Sequence, residues 1–185
     1  MKWFAEFSRH HLVTTSVILI FEILFYRQYA HLGAEFHFWL HGLFGASIGL
    51  CALTIWQLCT KRGSRLSGWE AGALGHLYSA IPDIIFVATG VLHMYWMDIL
   101  ALHISIHFIP SPIATMLAIF LLCLLSYVLV QGKYRWIGCI VLGLAGVILA
   151  VALWHRQPIP TTLQQVKHQT VKYSWLCPMW DTDSH

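Results

Sequence analysis

Three stretches of this chain set histidine beside histidine or aspartate at helical spacing inside apolar sequence. They are His37 and His41 in "HFWLH", His76 and Asp83 in "HLYSAIPD", and His93, His103 and His107 in "HMYWMDILALHISIH". Residues four apart share one helix face. At about 100° per residue, positions seven apart differ by only about 20°, and the last three histidines fall within a wedge of about 80°. Asp98 points to the far side of that wedge. Neutral imidazole and carboxylate are ligands shared by zinc, iron, manganese and copper. An i, i+4 pair also offers two imidazoles to one ion without backbone strain. The candidate ligands are therefore His41, Asp83, His103 and His107. His76 or His93 would serve as a further ligand or as a proton shuttle, because free imidazole titrates at about pH 6.5. His37 divides evenly between ligation and an interfacial role. A b-type haem held by two histidines, polar packing and a proton path are the competing uses of the same side chains.

The elements that must position these residues follow from composition. Of 185 residues, 58% are hydrophobic and only 10% are charged, where a soluble domain has about 25% charged residues. Several runs approach the roughly 20 apolar residues that cross a bilayer. The expected architecture is all-α: a polytopic transmembrane bundle of five to six helices, spanning 1–154, with a polar tail over 155–185. The net charge of +3 is small and sits in loops, so it speaks to topology and gives no footprint for nucleic acid. Five cysteines show no CxxC pair; those in the spans read as small core residues. The N-terminal apolar stretch ends in "FYRQYAHLG", without the small-residue site of a cleavable signal peptide.

The spans are expected at about 12–26, 37–58, from 69 past Pro82, 113–130 and 136–154, with a further amphipathic helix over 92–108. Gly45 and Gly49, four apart, allow a neighbouring helix to come close. Pro82 removes a backbone donor beside Asp83 and opens carbonyls that can line a cavity. Lys61, Arg62 and Arg65 follow the second span, and Lys133 and Arg135 follow the fourth. Both groups fall on the cytoplasmic side if 92–108 is re-entrant or interfacial, and on opposite sides if it crosses. The first topology is preferred, with the N-terminus cytoplasmic, in a bacterial inner membrane. His10, His11, His31, His155, His168 and His185 sit near span ends or in the tail, where a ring reaches water or headgroups. The tail's "CPMW" offers soft ligands suited to copper(I) but reads first as an interfacial segment. Glu22 is expected to pair with Arg27 near the end of the first span, with no role beyond packing.

The segments "HGLFGASIGL", "SAIPDIIF" and "HISIHF" resemble the inner-membrane metal-dependent hydrolase family over roughly residues 37–110. The resemblance maps an early histidine onto His41, a Pro-Asp motif onto Pro82–Asp83 and a later histidine pair onto His103 and His107. Ile84, Ile85 and Phe86 stand where that family carries a further Asp and His, and "HISIH" is shorter than its later motif. It implies a metal-dependent hydrolase acting on a lipid or a membrane-associated ester or phosphoester, with zinc, iron or manganese as the ion. Two other functions fit the residues alone: an accessory subunit of a membrane redox or transport complex, binding haem or copper, and a small proton-relay or transport protein. The expected partners are membrane lipids and other membrane subunits.

Overall fold

A computed structural model describes residues 9–60, 64, 66–89 and 102–158. These form five α-helices: α1 (Arg9–His31), α2 (Glu35–Thr60), α3 (Gly68–Thr89), α4 (Pro112–Gln131) and α5 (Arg135–Trp154). Among the described residues there is no strand. Helices α1, α2, α4 and α5 are long and apolar enough to cross a membrane, and most of their large apolar side chains on the outer flanks are exposed. The chain is a membrane-spanning helical bundle.

Local sequence sets the ends of the helices. Gly33 takes φ +66, and Ala34 N donates to Tyr29 O at 2.8 Å while Gly33 N donates to Ala30 O at 3.1 Å. This is the two-bond pattern with glycine in the left-handed conformation that closes a helix, and it turns α1 into α2 within three residues. At the start of α3, Ser67 N donates to Glu70 Oε2 at 2.8 Å and Glu70 N donates to Ser67 Oγ at 3.2 Å. These reciprocal bonds form a capping box.

Helices α2 and α3 meet through backbone. A Cβ built on Gly45 or Gly49 would run into the Gly75 or Ala71 carbonyl, and one on Gly75 into the Gly45 carbonyl. The small-residue stripe noted in the sequence is thus consumed within the chain. A core of Leu40, Phe44, Leu50, Ile106, Met116 and Ile119 joins α2 to α4 and to the segment before α4. Cys123 belongs to this core, whereas Cys59 and Cys139 face outward, unlike the core role expected for all the span cysteines.

The connections sort onto two ends of the bundle. Gly68 at the start of α3 faces the Tyr127 ring in the last two turns of α4, and Arg135 Nη2 donates to Gln57 O at 2.9 Å. The connections after α2 and after α4 therefore share one end. At the other end, His37 of α2 meets Asp83 of α3, and Gln157 N, just past α5, donates to Phe108 O at 2.8 Å. The chain accordingly leaves α3 and begins α4 at the same end. Of residues 92–108, only 102–108 are described. They depart from the expected helix: a turn over 102–104 leads into the 3₁₀ turn Ser105–Phe108. Leu102 at φ +48 cannot lie within an α-helix, and Pro110 and Pro112 bar any continuation.

Candidate metal centre

The first two turns of α2, the last third of α3 and the 102–108 segment converge at one end of the bundle, and α1 closes the fourth side. Asp83 gathers three side chains. Tyr29 Oη donates to Oδ2 at 2.6 Å, while His37 Nε2 lies 2.9 Å and His103 Nε2 3.2 Å from Oδ1. Ser79, one turn before Asp83, places Oγ 3.0 Å from His41 Nδ1. That contact turns His41 Nε2 inward, 3.2 Å from His107 Nε2. The imidazoles of His41 and His103 stack with centroids 4.1 Å apart, and those of His37 and His107 with centroids 4.5 Å apart.

His41 is 0% exposed, His103 1%, Asp83 2% and His37 4%. Ionisable groups at such depth in a membrane bundle are costly unless they pair or ligate. One ligand atom from each of His37, His41, Asp83 and His103 lies within 4.8 Å of the other three. Ligand atoms around a tetrahedral ion with bonds of about 2.0–2.1 Å stand roughly 3.3 Å apart. The 2.9 and 3.2 Å separations around Asp83 Oδ1 are of that size. The group has the composition, burial and spacing to hold a metal ion.

His41, Asp83 and His103 are thus together, and His37 joins them in place of the purely interfacial role weighed for it. His107 touches the group through His41 Nε2 and lies outside the four-residue set. His76 is elsewhere. It sits seven residues and about 10 Å along α3 from Asp83, with Nδ1 2.9 Å from Glu22 Oε2. Its carboxylate partner comes from α1, 54 residues away in sequence. His93, Asp98, His168, His185 and "CPMW" lie outside the described residues.

The sequence assigns no role to Tyr29 or Ser79 in advance, and to Glu22 only packing beside Arg27. A signal for Ser79 exists, because His76, Ser79 and Asp83 at i, i+3, i+7 mark one polar stripe on an apolar helix. No local signal marks Tyr29, and Glu22 is marked only as a carboxylate within an apolar span, with nothing to name His76 as its partner. No protein-family profile, curated protein or solved structure matches this chain.

Proposed function

We propose that the bundle binds a divalent metal ion through His37, His41, Asp83 and His103, and that it acts as a metal-dependent hydrolase on a lipid or a membrane-associated ester or phosphoester. The observation that carries this reading is the fully buried group of three imidazoles and one carboxylate within a 4.8 Å span. Three nitrogens and one oxygen suit zinc first, with iron or manganese as alternatives. Held by these four residues, such an ion would need a further position open to water, whose pKa it would lower to about 7 while polarising an ester or phosphoryl oxygen. Ser79 and Tyr29 orient His41 and Asp83, the outer-shell role that tunes a metal site. His107, 3.2 Å from His41 Nε2, is placed to carry a proton to or from the reacting group.

The resemblance of residues 37–110 to inner-membrane metal-dependent hydrolases supports the same chemistry. The two basic connections share one end of the bundle, so the positive-inside rule puts that end and the N-terminus in the cytoplasm. The metal end then lies toward the outer leaflet, within reach of lipid headgroups. Two observations weigh against an accessory haem subunit. The stacked His41 and His103 rings, 4.1 Å apart, leave no gap for a porphyrin plane, and the glycine stripe is already covered by α3.

The test is elemental analysis and a visible spectrum of the detergent-purified chain, followed by a metal-dependent lipid-hydrolysis screen on mixed vesicles. Stoichiometric zinc, iron or manganese, lost in a His37→Ala, His103→Ala double variant that keeps its helicity, supports the site. Product release from vesicles that follows the metal supports the hydrolase. A Soret band, or metal retained equally by both proteins, contradicts the reading.

A further inference from the structure

We propose that His76 and Glu22 form a second, independent site that binds an amphiphile with one long apolar chain and a hydroxyl head. Between α2, α3 and α4 runs a groove of about 1190 Å³, lined largely by apolar side chains including Phe38, Leu43, Leu50, Phe120 and Leu124, with Glu22 and His76 among its walls. A cavity of this size and character suits a small ligand or a lipid chain. Its walls also include Trp39 and Trp69, which are 54% and 49% exposed, so it opens on the apolar flank that faces acyl chains.

One polar group in the groove lacks a partner. His76 is only 6% exposed, and its Nε2 is buried with no hydrogen-bond partner among the described residues. Gly42 leaves that nitrogen reachable. A Cβ built there would stand 3.6 Å from His76 Nε2, and Gly42 itself lines the groove. The other ring nitrogen is taken by Glu22, 2.9 Å from Nδ1, which leaves Nε2 as the ring's open hydrogen-bonding position. Nε2 accepts in the neutral ring and donates in the protonated one. A buried ring nitrogen in an apolar groove calls for a partner in either state. A hydroxyl both donates and accepts and so meets either state, whereas a hydrocarbon meets neither. The site lies on the opposite face of α2 from His37 and His41, because Trp39, Leu43 and Ala46 line it and are roughly half a turn away from those histidines. It therefore stands whether or not the metal centre does.

The experiment uses the full-length chain in nanodiscs with a diazirine-bearing hexadecanol as photoprobe, and the crosslinks are mapped by mass spectrometry. Hexadecanol, hexadecane and palmitate serve as competitors. The expected result is labelling on α2 and α4 residues of the groove, with hexadecanol competing roughly tenfold better than hexadecane, the worth of one buried hydrogen bond. His76→Phe is expected to erase that preference while metal content and helicity persist. Gly42→Leu, whose Cβ meets the His76 ring at ordinary contact distance, should block labelling by filling the groove over Nε2 while the histidine itself is kept. Equal competition by alcohol and alkane, preference for palmitate, or an unchanged preference in His76→Phe would each overturn the proposal.

Discussion

Gly49→Ala tests whether backbone contact between α2 and α3 sets the spacing of the metal centre. The added methyl would fall against the Ala71 carbonyl, with the Ala71 carbonyl carbon only 2.6 Å from the new Cβ. Ordinary contact begins at 3.4 Å, and the carbonyl oxygen stands nearer still than its carbon, so the helices must separate by more than about 0.8 Å at this point. Overpacking of this kind costs about 1–3 kcal/mol, against a gain of roughly 0.5–1 kcal/mol from replacing a helical glycine by alanine. The backbone clash puts the cost at the upper end of that range, so the net expectation is a loss of about 2 kcal/mol. Gly143→Ala is the control: nothing lies within 4 Å of a Cβ there, so only the helix-propensity gain remains. The separation also moves α2, with His37 and His41, away from Asp83 on α3. Metal affinity should therefore weaken although no ligand is changed. The assay is reversible unfolding in mixed micelles, with metal affinity by competition against a chelator. If Gly49→Ala is as stable as Gly143→Ala and binds metal as tightly as wild type, the backbone contact is not what positions the site.

Two further substitutions probe the groups that hold the ligands. Tyr29→Phe removes the 2.6 Å donor to Asp83 Oδ2 and is expected to lower metal affinity by about 10–100-fold, as loss of an outer-shell partner does. Chelator competition reads this directly, and an unchanged affinity would remove Tyr29 from the site. Arg156→Ala deletes the guanidinium contact to Ser105 Oγ at 2.5 Å, which ties the 3₁₀ turn to the end of α5. Local opening of 103–108, followed by hydrogen exchange, should become easier by about 0.5–1.5 kcal/mol, with faster metal release; protection equal to wild type would show that the tie is slack.

What the sequence discloses differs from element to element. Helices α2, α4 and α5 fall within two residues of the spans read from apolar runs, because a bilayer-length apolar stretch has few other folds available. Helix α1 runs about five residues beyond its expected end, since Gly33 stops it and loss of apolarity does not. The pairing of His41, Asp83 and His103 was legible as stripes, but helix rotation is not written in spacing. His37, in the first turn of α2, divided evenly between ligation and an interfacial role; Tyr29 of α1 and His107 stack on it from positions that no local pattern links to it. Glu22 was expected only to pack near Arg27, and instead meets His76 across 54 residues. The segment before α4 read as a helix by the spacing of its histidines, while Leu102 in a left-handed conformation and the prolines that follow make the described part a turn.

The central claim is that three imidazoles and one carboxylate share one ion. X-ray absorption at the metal K-edge of the loaded, detergent-purified chain measures this directly. Three imidazole nitrogens and two oxygens, from Asp83 and a water, are expected at about 2.0–2.2 Å, with one nitrogen lost from that shell in His103→Ala. A spectrum without imidazole scattering, or one unchanged by that substitution, would contradict it.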